Sequence, residues 1–209
     1  MNQNTSHAVM AQRNPVRVDD LDFFPSPPWS TRALCQQIIG VRGSDTCLEP
    51  ACGQGHMAMT LSEYFKTLVA NDIADYGYGG ISDFIHDPQD EVDWVITNPP
   101  FKLAEQFVHK ALAIARVGVA ILERTVFLES VGRHKRLFTP APPSIVAVFA
   151  ERVPMVYGRL DRKAASATSY SWFVWLKQDT SRETELKWIE PCRAELERDS
   201  DYNNEGVTK

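Results

Sequence analysis

Short apolar runs alternate with amphipathic stretches along the middle of the chain. The apolar runs predict strands at residues 46–49, 67–71, 80–85, 93–97, 117–122, 145–149 and 170–176. Apolar residues at helical spacing and one short basic stretch predict helices at residues 56–65, 104–115 and 131–138. Strands separated by helices are typical of βαβ units, so the sheet is predicted to be mostly parallel. No helix is predicted between the last two strands, which favours an antiparallel final strand.

The beginning of the chain lacks this alternation. Residues 1–20 are polar and predict a flexible lead. The following stretch, residues 21–29, is aromatic and rich in proline, which is incompatible with a helix interior. Ser30 or Thr31 is then predicted to cap a helix that runs to about Ile39.

Length and composition indicate a single globular domain. The chain has 209 residues, of which 44% are hydrophobic and 23% charged. We predict that this domain spans residues 21–178 and that the charged segment 179–209 is a partly disordered tail anchored by Trp188. No apolar run is long enough for a membrane span and the N-terminus does not resemble a signal peptide, so a cytoplasmic location is predicted.

Charge and cysteine spacing limit the possible partners. The formal net charge is −5 and the sequence pI about 5.6, so a nucleic-acid partner would have to meet a local basic surface. The cysteines form no CxxC pair, and no metal site or disulfide framework is predicted from Cys35, Cys47, Cys52 and Cys192. The pattern does not indicate an oligomeric state.

A glycine-containing loop follows the first predicted strand, where a parallel sheet places its ligand. Gly53 and Gly55 allow close backbone approach, and Asp72 ends the second strand, where an acid can bind ribose hydroxyls. Together with Ala58 the glycines also fit the dinucleotide pattern GxGxxA. Glu49 would repel a pyrophosphate but suits a ligand with an ammonium and a sulfonium, which favours S-adenosylmethionine.

The tetrapeptide Asn98-Pro99-Pro100-Phe101 follows the fourth predicted strand. An aromatic amine is a poor nucleophile, and two acceptors, the Asn98 side-chain carbonyl and the Pro99 backbone carbonyl, could hold its N–H groups during methyl transfer. The prolines restrict the backbone, and Phe101 offers a face for an extruded base. A proline-terminated strand with Asn98 in a turn is the alternative. The tetrapeptide lies at the same sheet edge as the glycine loop, and this position favours a functional role for it.

Several segments together resemble the S-adenosylmethionine-dependent amino-methyltransferases that include DNA adenine-N6 enzymes, and short phage or prophage members in particular. Residues 49–55 match the cofactor motif and residues 98–101 the catalytic motif of that family. The likeness extends over roughly residues 20–190 and includes the segments 22–29, 75–79, 83–84, 154–155 and 170–175.

The resemblance implies an α/β fold of the Rossmann-like class I methyltransferase type, a three-layer sandwich around a mostly parallel seven-stranded sheet with the last strand antiparallel. It also implies specific contacts to S-adenosylmethionine. The methionine end would meet Phe24, Pro25 and Ser26, and the adenine would meet Ile73, Asp83 and Phe84. The full implied cofactor set is Phe24, Pro25, Ser26, Glu49, Pro50, Ala51, Cys52, Gly53, Gly55, Asp72, Ile73, Asp83, Phe84 and Asn98.

The predicted reaction is methylation of adenine N6 in DNA, with catalysis by Asn98, Pro99, Pro100 and Phe101. An RNA adenine or a protein glutamine amide remains an alternative, because the motif suits any planar amine. A catalytically idle binding module and a nicotinamide oxidoreductase are further alternatives. No separate recognition domain is predicted after the motif, so substrate contacts are predicted from Phe101, from basic loops and from aromatic residues of the last strand, namely Phe101, Arg133, Lys135, Arg159, Tyr170 and Trp172.

Overall fold

The computed structural model describes residues 22–164 and 167–202, so the predicted lead at 1–20 lies outside the described residues. One sheet organises these residues, in the order β3-β2-β1-β4-β5-β7-β6-β8. Its strands are β1 (Thr46–Glu49), β2 (Thr67–Asp72), β3 (Gly80–Ile81), β4 (Val92–Thr97), β5 (Ala115–Arg124), β6 (Ile145–Phe149), β7 (Tyr170–Leu176) and β8 (Glu185–Ile189).

Strand direction follows the prediction. β1 pairs in parallel with β2 and β4, β4 with β5, and β6 with β8. β7 runs antiparallel to both of its neighbours, β5 and β6. The sheet has eight strands in the described residues, where seven were predicted. The additional strand is β8, which extends the edge beyond β6.

Helices cover both faces of the sheet. They are α1 (Pro28–Ala33), which continues into a π-helical turn at Leu34–Ile38, α2 (His56–Leu61), α3 (Ala104–Ile114), α4 (Val131–Arg133), which continues into a π-helical turn at His134–Phe138, and α5 (Arg193–Leu196). Short 3₁₀ turns lie at Thr125–Leu128 and Asp199–Tyr202. Among the described residues, no helix is long and apolar enough to cross a membrane.

Two apolar cores, one on each face, give the predicted three layers. The first packs α1 and α2 against one side of the sheet, with Trp29, Leu61 and Trp172 fully buried. The second packs the apolar face of α3 against the other side, where Phe107 and Ala111 are buried as the helical spacing indicates. The α/β sandwich fold is therefore confirmed.

Several element boundaries differ from the prediction, and two of the differences have a clear physical reason. α1 begins at Pro28 because the fixed φ of proline suits a first helical turn, whereas Ser30 donates its hydroxyl to the Pro27 carbonyl and does not cap the helix. The strand predicted over 80–85 ends at Ile81. Asp83 then accepts the Ile85 amide with its side chain, which forms a turn in place of continued pairing.

The segment predicted to be a partly disordered tail is built into the fold as far as residue 202. Trp188 is 65% exposed and is not its anchor, whereas Ile189 is fully buried. The anchor is Arg32 on α1, whose buried guanidinium donates to the Leu196 carbonyl at 2.7 Å and forms ion pairs with Glu63 and Asp201. Nothing local in residues 179–202 reveals a partner so distant in sequence.

We expect Arg32→Met to destabilise the protein by about 3 kcal/mol, because Asp201 and the Leu196 carbonyl would remain buried without their donor. The control is Arg116→Met, which removes an arginine that is half exposed and pairs with Asp93 at 3.0 Å. A surface pair of that kind contributes little. Urea denaturation of both variants measures the difference, and equal losses would contradict a special role for Arg32.

Candidate active site

The two predicted motifs meet at the carboxyl edge of the sheet. β1 ends at Glu49 and its parallel neighbour β4 ends at Thr97, so the glycine loop and Asn98 emerge side by side. The Thr97 hydroxyl donates to Glu49 Oε1 at 2.9 Å and joins the two motifs directly. Between them opens a cleft of about 930 Å³, part of which is open to solvent.

Most of the residues assigned to the cofactor by resemblance line this cleft. They are Phe24, Pro25, Ser26, Glu49, Pro50, Ala51, Cys52, Asp72, Ile73, Asp83, Phe84 and Asn98, and Pro100 joins them from the catalytic motif. Gly53 and Gly55 lie in the loop beside the cleft and are not among its lining residues. The cleft is also lined by residues that were not predicted as site residues, namely Phe23, His56 and Tyr76. The glycine- and tyrosine-rich segment 75–79 drew attention to Tyr76, but its sequence pattern did not indicate a function for that residue.

The glycine loop requires glycine for two reasons. Gly53 and Gly55 have φ angles of 50° and 86°, which other residues rarely adopt. Aromatic rings also cover both positions. A Cβ atom would lie 2.5 Å from a ring carbon of Phe23 at the first position and of Tyr78 at the second. These rings, supplied by two other loops, close over the backbone that leads into α2.

Glu49 is a buried acid with unused bonding capacity. The side chain is 1% exposed, and its Oε1 accepts the Thr97 hydroxyl and the Ala51 amide at 3.3 Å. Its Oε2 is buried and has no hydrogen-bond partner among residues 22–164 and 167–202. Burial raises the pKa of Glu49 from 4.5 to about 8. A carboxyl in this state is suited to a cationic ligand that would restore its ionised form.

Asp72 ends β2 on the same side of the cleft. Its two oxygens accept the Gly53 amide at 2.9 Å and the Ala74 amide at 3.1 Å, which orients the carboxylate. Burial raises the pKa of Asp72, although these backbone bonds oppose the shift. Ile73 is 38% exposed beside it and supplies an apolar surface. Each carboxylate oxygen keeps a lone pair that could accept a ligand hydroxyl.

The amide of Asn98 has a defined orientation. Its Nδ2 donates to the Phe24 carbonyl at 2.8 Å, and because a carbonyl only accepts, the nitrogen must face that side. The Oδ1 atom is therefore directed away from Phe24, and it is buried without a partner in the described part of the chain. The same holds for Ser26 Oγ. Three unpartnered polar atoms, from Ser26, Glu49 and Asn98, thus belong to residues that line one cleft.

Aromatic side chains gather around Phe101. Its ring centroid lies 5.2 Å from that of Phe24 and 6.4 Å from that of Tyr170, and the Arg124 guanidinium carbon lies 4.6 Å from it. Pro99, two residues before Phe101, is buried. Trp172, predicted as a candidate beside the substrate, is fully buried and donates its indole N–H to the Ser30 carbonyl at 3.0 Å. That assignment is wrong, because Trp172 is a core residue, whereas Tyr170 is in the aromatic group.

The basic residues predicted to contact substrate are placed differently from one another. Arg133 turns inward, where its guanidinium covers the Phe127 ring at 4.0 Å and donates to the Phe127 carbonyl. Arg159 pairs with Asp161 at 3.0 Å. Lys135 is exposed on the turn after α4. Lys135 and Arg159 are therefore the exposed cations of the three.

Comparisons with solved structures identify the architecture. A type I restriction-modification methyltransferase subunit from Streptococcus thermophilus matches with a TM-score of 0.59 and 12% identity, over 87% of this chain and 51% of that chain. A protein described as an RNA methyltransferase from Pyrococcus horikoshii matches with a TM-score of 0.58 and 13% identity, over 81% of this chain and 94% of that chain. The fold is that of a class I methyltransferase.

A third match has the same architecture at the limit of useful similarity. A dimethyladenosine transferase from Plasmodium falciparum has a TM-score of 0.50 and 14% identity, over 74% of this chain and 63% of that chain. The chain spans about half the length of the restriction-modification subunit. No protein-family model matches the chain, and no curated protein sequence is similar to it. The likeness therefore concerns the fold.

Proposed function

We propose that the protein is an S-adenosylmethionine-dependent methyltransferase that acts on an exocyclic amino nitrogen, adenine N6 in DNA. The observation that supports this most strongly is the Asn98 amide. Among the described residues, its oxygen is buried, unpartnered and fixed in orientation at the wall of a cleft in which Glu49 Oε2 also lacks a donor. Buried polar atoms without partners are uncommon and cost free energy, so their grouping indicates a ligand.

The cleft fits the proposed cofactor. Glu49 Oε2 can accept from an ammonium group, and Ser26 Oγ can donate to a carboxylate, as the two ends of an amino-acid moiety require. Asp72 is available for ribose hydroxyls and Ile73 for an adenine face. When bound, S-adenosylmethionine supplies an electrophilic methyl group on its sulfonium.

The residues of the catalytic motif suit an amine. Asn98 Oδ1 would accept one N–H of the planar amine, and the Pro99 carbonyl would accept the other. Accepting both hydrogens favours a tetrahedral nitrogen whose lone pair can react. Because Nδ2 is held by the Phe24 carbonyl, the acceptor is oriented before substrate arrives. The Phe101 ring offers a surface on which a base can stack.

The alternatives are less well supported. A dinucleotide would place its pyrophosphate near buried Glu49, which disfavours a nicotinamide enzyme. An idle module has no need of an oriented acceptor at Asn98. A protein glutamine amide would use the same two acceptors, but the aromatic group around Phe101 favours a base. Two of the structural matches are described as acting on RNA or adenosine, so an RNA adenine remains the second candidate.

We expect calorimetry to show binding of S-adenosylmethionine and weak or no binding of NAD. Radiolabelled methyl transfer to DNA, RNA and a cell lysate in parallel, followed by nucleoside analysis, then identifies the acceptor. N6-methyladenine in DNA is the expected product. Tight binding of NAD would overturn the cofactor assignment, and label confined to RNA or protein would overturn the choice of DNA.

A further inference from the structure

Arg124 lies at the carboxyl end of β5, which pairs in the sheet with β4, the strand that leads into Asn98. Its guanidinium carbon lies 4.6 Å from the centroid of the Phe101 ring, on the ring that the proposed function assigns to a target base. The sequence patterns did not single out this arginine. It lies outside the basic loops from which substrate contacts were predicted, since it precedes Arg133 in the chain and is distant in sequence from Arg159.

The backbone around Arg124 is held firmly. Its amide donates to the buried carboxylate of Glu123, and the next amide, of Thr125, donates to the Ser169 carbonyl at 2.9 Å. The Thr125 and Ser171 hydroxyls are 2.8 Å apart and bonded to each other. The strand end is thus pinned to β7, whereas the Arg124 side chain above it is 44% exposed. A fixed backbone with an accessible guanidinium suits a residue whose side chain exchanges one binding partner for another.

Other arginines near this edge are already engaged. Arg136 forms two hydrogen bonds with Glu105, Arg159 pairs with Asp161, and Arg152 donates to the Ser169 hydroxyl at 2.6 Å. Arg133 is turned toward Phe127. Arg124, in contrast, has among the described residues a loose ion pair with Glu123, with 3.9 Å between its Nε and the Glu123 Oε2, besides its contact with Phe101. Its charge is therefore available to a ligand.

We propose that Arg124 is a substrate-positioning residue, which covers Phe101 in the free protein and binds a backbone phosphate of the target nucleotide when the base stacks there. This proposal rests on the proposed function and adds a contact to the phosphate of the target nucleotide. Base stacking on an aromatic ring is stronger than an exposed cation–π contact, so a base can displace the guanidinium. A planar guanidinium released beside a nucleotide matches a phosphate well.

The test compares three variants in oligonucleotide binding and methyl transfer over a range of salt concentrations. Arg124→Gln removes the charge, and Arg124→Lys keeps the charge but not the planar group. Arg116→Gln is the matched control, because Arg116 lies on the same strand at the opposite edge of the sheet. Calorimetry with S-adenosylmethionine verifies that each variant retains the cofactor cleft.

We expect Arg124→Gln to raise KM for the oligonucleotide roughly 10-fold with little change in kcat. The slope of log affinity against log salt should fall in magnitude by about 0.9 for duplex DNA. Arg124→Lys should keep the slope, and Arg116→Gln should match the wild type in both measurements. If the Arg124→Gln slope equals that of Arg116→Gln, the phosphate contact is refuted while the methyltransferase assignment stands. If the wild type binds no nucleic acid, the proposed substrate is refuted, and this contact with it.

Discussion

Replacing Asn98 by alanine is expected to lower the rate of methyl transfer on the order of 10³-fold, because it removes an acceptor oriented toward the target amine. The affinity for S-adenosylmethionine should change little, since the proposed role of the Asn98 oxygen is to accept a hydrogen bond from the substrate amine. Single-turnover methylation and calorimetry measure the two quantities separately.

Two further substitutions separate the possible causes of such a loss. Gln106→Ala removes an exposed amide from nearby α3 and should leave both quantities unchanged. Asn98→Asp keeps an acceptor oxygen but replaces the Nδ2 donor, which lies 2.8 Å from the Phe24 carbonyl in the wild type, by a second acceptor. This acceptor and the Phe24 carbonyl oxygen repel each other, so intermediate activity is expected. A large loss of cofactor affinity in the alanine variant would show that Asn98 belongs to the cofactor site and not to the amine site.

Glu49→Gln should weaken S-adenosylmethionine binding roughly 10- to 100-fold, because it removes a negative charge that faces the ammonium group. It should also stabilise the free protein at alkaline pH. The folded-state pKa of Glu49, about 8, lies above its ordinary value of 4.5. The stabilisation from the protonated carboxyl is therefore complete below pH 4.5 and is lost as the pH rises through about 8.

Glutamine does not ionise, so the difference between variant and wild type isolates this residue from other acids such as Glu123. We expect the variant to have a Tm roughly 5 °C higher at pH 8 and nearly the same Tm at pH 5. Differential scanning calorimetry at the two pH values checks this. Glu129→Gln, at an exposed position, is the control and should show no such pH dependence. Unchanged cofactor affinity in Glu49→Gln would contradict the assigned contact.

The sheet and the cofactor side of the cleft could be predicted from the sequence because both depend on local patterns. Each of these features, namely the apolar strands, the glycines and the acids at strand ends, can be recognised from a short stretch of sequence. Glu49, Asp72 and Asn98 meet in space because parallel neighbours end at one edge, which is a general property of such sheets. The loop containing Tyr76 and Tyr78 resembled a family segment, but its packing over Gly55 depends on the folded backbone.

The errors share a physical cause, which is dependence on contacts distant in sequence. Trp172 was assigned to the substrate side because it is aromatic, yet strand alternation and the Ser30 carbonyl hold it in the core. β8 was not predicted because its segment is charged, and the buried anchor lies on α1. Arg124 was overlooked because a lone arginine at a strand end carries no pattern. Its relation to Phe101 exists only after β4 and β5 pair.

The hydrogen bond from Thr97 to Glu49 connects the glycine-loop side of the cleft with the side that contains Asn98. Thr97 immediately precedes Asn98, and its hydroxyl donates to the carboxyl whose ionisation a cationic ligand favours. A hydrogen bond to an ionised acceptor is shorter and roughly twice as strong as a neutral one. Occupancy of the glycine-loop side by a cationic ligand would therefore strengthen the hydrogen bond made by the residue that precedes Asn98.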